Sequence, residues 1–112
     1  MYKIIREFQS FTGERAWNYV TDHLKKTCSP FYSVTGVAYE VISVTSSEIV
    51  FRNNKKETCR GKEKGEIIKK DNFVAAYDFI KNIEFNTVTV KEKIDRQQSP
   101  FIGLLISAKM IG

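Results

Sequence analysis

Lysine and arginine gather in one stretch of this chain, and the chemistry they suit is phosphate binding. Residues 52–70 read RNNKKETCRGKEKGEIIKK. The stretch holds eight basic side chains (Arg52, Lys55, Lys56, Arg60, Lys62, Lys64, Lys69 and Lys70) against Glu57, Glu63 and Glu66. Its net of +5 equals the net charge of the whole 112-residue chain, so the remainder is balanced. A charge this localised favours an anionic partner, and a basic finger meeting a nucleic-acid backbone is one form of it. Composition sets limits on that form. Six lysines to two arginines favour point-charge attraction over bidentate clamps and base reading, which use the planar guanidinium. The interleaved glutamates lower the local field. No aromatic residue lies between Asn53 and Lys70, so base stacking has to come from Phe51 or Tyr39 on an adjoining strand. The plain alternative is a solvated loop kept soluble by its charge.

A second candidate is Arg96-Gln97-Gln98-Ser99-Pro100. Ser99 is an N-cap candidate, and Pro100 suits the first helical position without wasting a donor. Free N–H groups at such a helix start favour an anion, and the Arg96 guanidinium just upstream can hold a phosphate. Arg96 and Ser99 therefore join the basic stretch as candidate phosphate ligands. The competing expectation is ordinary capping, with Arg96 in solvent.

Catalytic chemistry finds less support. Glu66 with Lys69 or Lys70 is a fragment of a metal-nuclease pattern, and Glu48 is the only candidate for the second acid. The bland reading is a strand flank followed by a helix cap. The lone histidine, His23, lies beside Asp22 and five residues before Cys28, a spacing that puts the two on different faces of a helix. One histidine and two scattered cysteines do not make a zinc site, and no P-loop, GxGxxG, GxSxG or HExxH pattern is present. The expectation is a protein that is not an enzyme, with no catalytic residue, metal or cofactor. Cys28 and Cys59 leave a disulfide open on parity alone, but nothing points to secretion. No apolar run approaches the ~18 residues of a membrane span, and no signal-peptide pattern opens the chain. A soluble, cytoplasmic protein without membrane contact is expected.

The elements that must position these residues follow from periodicity. Tyr2 to Phe8 alternates like a strand. Thr12 caps a helix carrying Ala16, Trp17, Val20 and Leu24 at helical spacing, stopped by Pro30. Val34 to Thr45 is the clearest strand, with Val37, Tyr39, Val41 and Ser43 on one face and Ala38, Glu40, Ile42 and Val44 on the other. Ser46-Ser47 turns it into a second strand, Glu48 to Arg52. Asn53 to Gly65 is a polar loop or exposed hairpin tip, and Glu66 to Lys69 a third short strand. Asp71 can cap a helix with Phe73, Ala76, Tyr77 and Ile80 on one face, ending near Asn82. Residues 85–98 fit either a strand or a short helix capped by Thr89. Ser99 to Gly112 reads as a terminal helix that is apolar all round, with Gly103 and Ala108 allowing close approach of a neighbour. That girth argues against a helix-turn-helix, whose second helix needs a polar face. It fits a core helix or a contact between copies.

The expected fold is therefore α+β. A small antiparallel sheet of three to four strands packs with an N-terminal helix and two or three C-terminal helices, in a single domain over residues 1–112. The hairpin, the DNFVAAY helix and the SPFIGLLISAKMIG helix together resemble small domains of phage and mobile-element proteins, a resemblance that assigns no residue a role. The function expected is a small binding domain for a nucleic acid or nucleotide phosphate. The alternative is a protein-interaction module, such as an inhibitor or adaptor, that forms a homo-oligomer through its C-terminal helix.

Overall fold

The structure, a computed structural model of the chain, describes residues 1–27, 30–53, 66–94 and 96–111. A single 3-10 turn (Arg6–Phe8) leads into helix α1 (Gly13–Thr27). Four strands follow: β1 (Phe31–Tyr32), β2 (Ala38–Val44), β3 (Glu48–Asn53) and β4 (Glu66–Lys69). They form one antiparallel sheet in sequence order. Helices α2 (Lys70–Ile80), α3 (Thr87–Lys91) and α4 (Gln98–Ser107) complete the chain. The α+β arrangement is the one expected.

Helix α1 starts where Thr12 Oγ1 accepts from Arg15 N at 3.1 Å, and it buries the expected stripe of Ala16, Trp17, Val20 and Leu24. Gly13 begins it because α2 passes close by. A Cβ there would lie 2.6 Å from the Val74 carbonyl oxygen, and the Gly13 N–H donates to Asp78 Oδ1 at 2.9 Å. Helix α2 corrects the expected Asp71 cap. It begins two residues earlier, at Lys70, with Lys69 at the N-cap position and no side-chain cap, and the Lys70 N–H is satisfied by the Ser47 carbonyl at 2.8 Å. Asp71 instead stands in the first turn, where its charge suits the helix dipole. In the ambiguous region the helix prevails. Asn86, not Thr89, is its cap, and the two side chains form a reciprocal capping box.

Two strand expectations change. Tyr2 to Phe8 is not a strand but two isolated bridges, Tyr2 with Phe85 and Ile4 with Ile111, before the 3-10 turn. Alternation alone gave it no long neighbour to pair with. The long strand from Val34 is instead a hairpin. Phe31–Tyr32 pairs with Ala38–Tyr39 around a turn at Gly36, whose φ of +87° suits glycine. Within β2 a bulge between Val41 and Ser43 shifts the register by one residue. Tyr39, Val41 and Val44 consequently share the face paired with Phe51 and Ile49, while Ser43 sits with Glu40 on the other face. The simple alternation had it otherwise.

The helices cover one face of the sheet. Ile49, Phe51 and Ile68 are sealed from solvent, whereas their neighbours Arg52, Ile67 and Lys69 are exposed. Helix α4 accounts for much of the core, with Phe101, Ile102, Leu104 and Leu105 fully buried. Gly103 permits this, because a Cβ there would lie 2.2 Å from the Tyr32 carbonyl oxygen of β1. The helix closes in a Schellman arrangement. Met110 N–H donates to the Leu105 carbonyl and Lys109 N–H to that of Ile106, with Lys109 at φ +58° where glycine is usual.

Candidate anion-binding surface

Lys55, Lys56, Arg60, Lys62 and Lys64 lie outside the described residues, as do Cys28 and Cys59. The remaining basic residues of the stretch stand at its two ends, and the sheet separates them. Arg52 is near the end of β3 that pairs with the start of β2. Lys69 is opposite Glu48 at the far end. These positions are four steps apart along β3, about 13 Å. They are two sites, not one.

At the first, Arg52 Nε and Nη2 both donate to Glu40 Oε2 at 3.2 Å across the β2–β3 pair. Both bonds converge on one oxygen of an exposed carboxylate, so the guanidinium is only weakly held. At the second, Lys70 Nζ pairs with Glu14 Oε1 of α1 at 3.3 Å. Lys69 is exposed, at the N-cap position of α2, and makes no ion pair with a described residue. A shallow hollow beside it is lined by Ser47, Glu48, Lys69, Lys70 and Asp71, two lysines against two carboxylates.

The Arg96–Pro100 junction is built differently from the sequence expectation. Helix α4 starts at Gln98 with Gln97 at the N-cap position and no side-chain cap. Pro100 is its third residue, still within the first turn, where a missing N–H costs nothing. The Ser99 hydroxyl is engaged elsewhere. It accepts from the Val34 N–H at 3.1 Å and ties α4 to the turn after β1, so Ser99 is neither the cap nor an open anion ligand. Arg96 is exposed, with a left-handed backbone at φ +67°, and makes no ion pair or hydrogen bond with a described residue. Its neighbour Gln97 reaches β4, where Nε2 donates to the Ile67 carbonyl at 2.7 Å. Arg96 is thereby held close to the strand that carries Lys69. Sequence reasoning missed Gln97. Nothing in a Gln-Gln pair announces an edge-strand contact.

The two rings expected to stack, Phe51 and Tyr39, face the helices. Phe51 has no exposed surface and packs edge-on against Phe31 and Tyr39, with ring centroids 5.4 and 5.0 Å away. Tyr39 is on the same inner face, where burial first and the nearby Glu66 carboxylate second push its phenol pKa up. On the outer face the aromatic that emerges is Tyr32, 57% exposed and paired with Ala38.

The carboxylates of the nuclease pattern do not converge. Glu48 pairs with Lys69 and Glu66 with Phe51, at opposite ends of the β3–β4 pair. Among the described residues no group of three His, Cys, Asp or Glu side chains could hold a metal ion. His23 Nε2 meets Ser107 Oγ at 3.3 Å and joins α1 to α4, as fits a residue at the boundary of the core. Among the described residues no helix is long and apolar enough to cross a membrane.

Comparison with family models, curated proteins and solved structures finds no match to this chain, and the resemblance to small phage and mobile-element domains gains nothing from it.

Proposed function

We propose that this protein is a binding domain for a phosphate-rich polyanion, which it holds mainly through the charge of its backbone. The observation that carries the reading is the concentration of the chain's entire net charge of +5 in residues 52–70. The described ends of that stretch support it. Lys69 and Arg96 are exposed cations near β4 with no described ion-pair partner, and Arg52 and Lys70 are in weak pairs that a phosphate can displace. The burial of Phe51 and the inward position of Tyr39 remove those two rings from base stacking. The main driving force is then counterion release, which is insensitive to sequence and steep in salt.

The test is a titration of duplex and single-stranded DNA of unrelated sequences at several salt concentrations. We expect affinities that agree among sequences and fall with a log–log slope of roughly −3 to −6, for about four to six phosphates neutralised. Reversing Lys55, Lys56 and Lys62 together to glutamate should abolish binding and leave the cooperative melt intact. A salt-independent affinity, or a triple variant that binds as before, would overturn the reading.

The oligomer alternative has lost its original motive. The apolar girth of α4 is used within this domain, where Ile106 is the large hydrophobic residue it leaves exposed, at 42%.

A further inference from the structure

Among the described residues three aromatic side chains stand exposed, and two of them are engaged. Tyr19 packs edge-on against Phe8 and Phe11, with ring centroids 5.1 and 5.9 Å away. Phe79 has the Lys93 ammonium over its ring, 5.4 Å from the centroid. Tyr32 is the most open, at 57%, and its side chain makes no hydrogen bond or ring contact with a described residue. The backbone that carries it is fixed. Gly103 of α4 lies so close to the Tyr32 carbonyl that no Cβ would fit between them. Ser33, the next residue, is buried, and it exchanges hydrogen bonds with Val37 across the Gly36 turn. The Val34 N–H is held by Ser99 of α4. A ligand therefore has only the torsions of the tyrosine side chain to order, which is a small entropic cost.

The sheet register sets this ring beside a cation. Tyr32 pairs with Ala38, and Glu40, two residues further along β2, pairs with Arg52. All four side chains share the outer face, and Ala38 between ring and guanidinium is small. Two strand spacings across and two residues along put the Tyr32 and Arg52 Cα atoms about 12 Å apart. About half of the Arg52 side chain is open, and its exposed pair with Glu40 is weak enough for a phosphate to displace. We propose that Tyr32 stacks an unpaired base while Arg52 meets a phosphate of the same strand, which makes single-stranded nucleic acid the ligand this face fits. The inference rests on the polyanion reading and adds a base contact to it. A duplex keeps its bases paired and stacked, and freeing one for the ring costs energy that a single strand does not spend. Every base has a π-face, so the contact selects for unpaired bases without selecting a sequence.

Fluorescence anisotropy of the full chain tests this with labelled DNA of one length in different forms: an ordinary single strand, a single strand abasic throughout, and a duplex. The abasic strand carries the same phosphates and no bases. The wild type should bind the ordinary strand about five- to a hundredfold more tightly than the abasic one, the effect of roughly one stacked base. Tyr32→Ala should erase that difference by weakening the ordinary strand alone. Its duplex affinity, log–log salt slope and melt should match the wild type, since no charge or core contact is lost. Tyr32→Phe keeps the ring and should keep the preference. Equal wild-type affinities for the ordinary and abasic strands, still steep in salt, would overturn the stacking and leave the polyanion reading standing. A Tyr32→Ala variant that loses affinity equally for every form would also overturn it, because the tyrosine would then serve the backbone contact or the fold. Absence of binding to any form would overturn both.

Discussion

Phe51 and Arg52 are adjacent in the chain and belong to two different environments. Phe51 faces the helices, fully buried within a three-ring cluster with Phe31 and Tyr39. Arg52 faces away, in an exposed pair with Glu40. The same split runs along the sheet, with Ile49 and Ile68 inside and Ile67 and Lys69 outside. It teaches that the aromatic residues of β2 and β3 are used for cohesion and the charges for contact. A nucleic-acid binder that reads bases by stacking needs both on one surface. In β2 and β3 they lie on opposite ones, and Tyr32 of β1 is the ring that shares the charged face, so the proposed recognition is mainly electrostatic.

The strongest test of the contrast removes the inner member. Phe51→Ala deletes a ring with two aromatic neighbours and no solvent contact. A loss of roughly 3 to 5 kcal/mol is expected in urea unfolding, from lost transfer energy and the cavity left behind. A loss under about 1 kcal/mol would mean that the inner cluster is not what holds the sheet to the helices.

A second test reaches the helical side of the same core through pH. The Tyr77 hydroxyl is buried and donates to the Phe8 carbonyl at 2.5 Å. Burial first, and the Asp78 carboxylate second, push its pKa from 10.0 to about 12. The folded state therefore favours the protonated phenol more than the unfolded state does. That stability is complete below pH ~10 and is lost as pH rises toward about 12, on the order of 2 to 3 kcal/mol in all. Unfolding free energies measured across this window should fall in the wild type. Tyr77→Phe should be less stable at neutral pH, having removed one of the two donors to the Phe8 carbonyl and left it the Phe11 N–H alone, and should decline less steeply with alkali. Parallel slopes would show that Tyr77 ionises as freely in the folded protein as in the unfolded one.

Much of this division was legible in the sequence, for local reasons. Helix α1 announced itself through Thr12 and a 3.6-residue apolar repeat. The β2–β3 hairpin did so through alternation around Ser46-Ser47, and the buried α4 through its apolar girth. The errors came where local signals compete with tertiary ones. The bulge at Ile42 inverts the faces of Ser43 and Val44, and no periodicity forecasts an inserted residue. Ser99 has the chemistry of a cap but is claimed by Val34, 65 residues away in the chain. Asn86 was readable, since Asn-x-x-Thr has capping-box spacing. Of the candidate site, the charge was visible, whereas the separation of Arg52 from Lys69 depended on strand register.

The smallest expected effect is the most discriminating. Arg52→Ala removes the outer neighbour of Phe51. Its pair with Glu40 is exposed on both sides and screened, so the stability cost should be about 0.2 to 1 kcal/mol. Loss beyond about 2 kcal/mol would break the contrast, because an outer residue would then be structural. The binding readout separates two remaining roles. If Arg52 leaves Glu40 to meet a phosphate, its removal should make the log–log salt slope shallower by about 0.9, with affinity falling evenly across DNA sequences. Glu40→Gln should then strengthen binding, since the arginine no longer has to leave a carboxylate. If Arg52 stays with Glu40 throughout, neither substitution changes the slope. The polyanion surface then excludes the start of β2 and rests on the remainder of the basic stretch with Arg96.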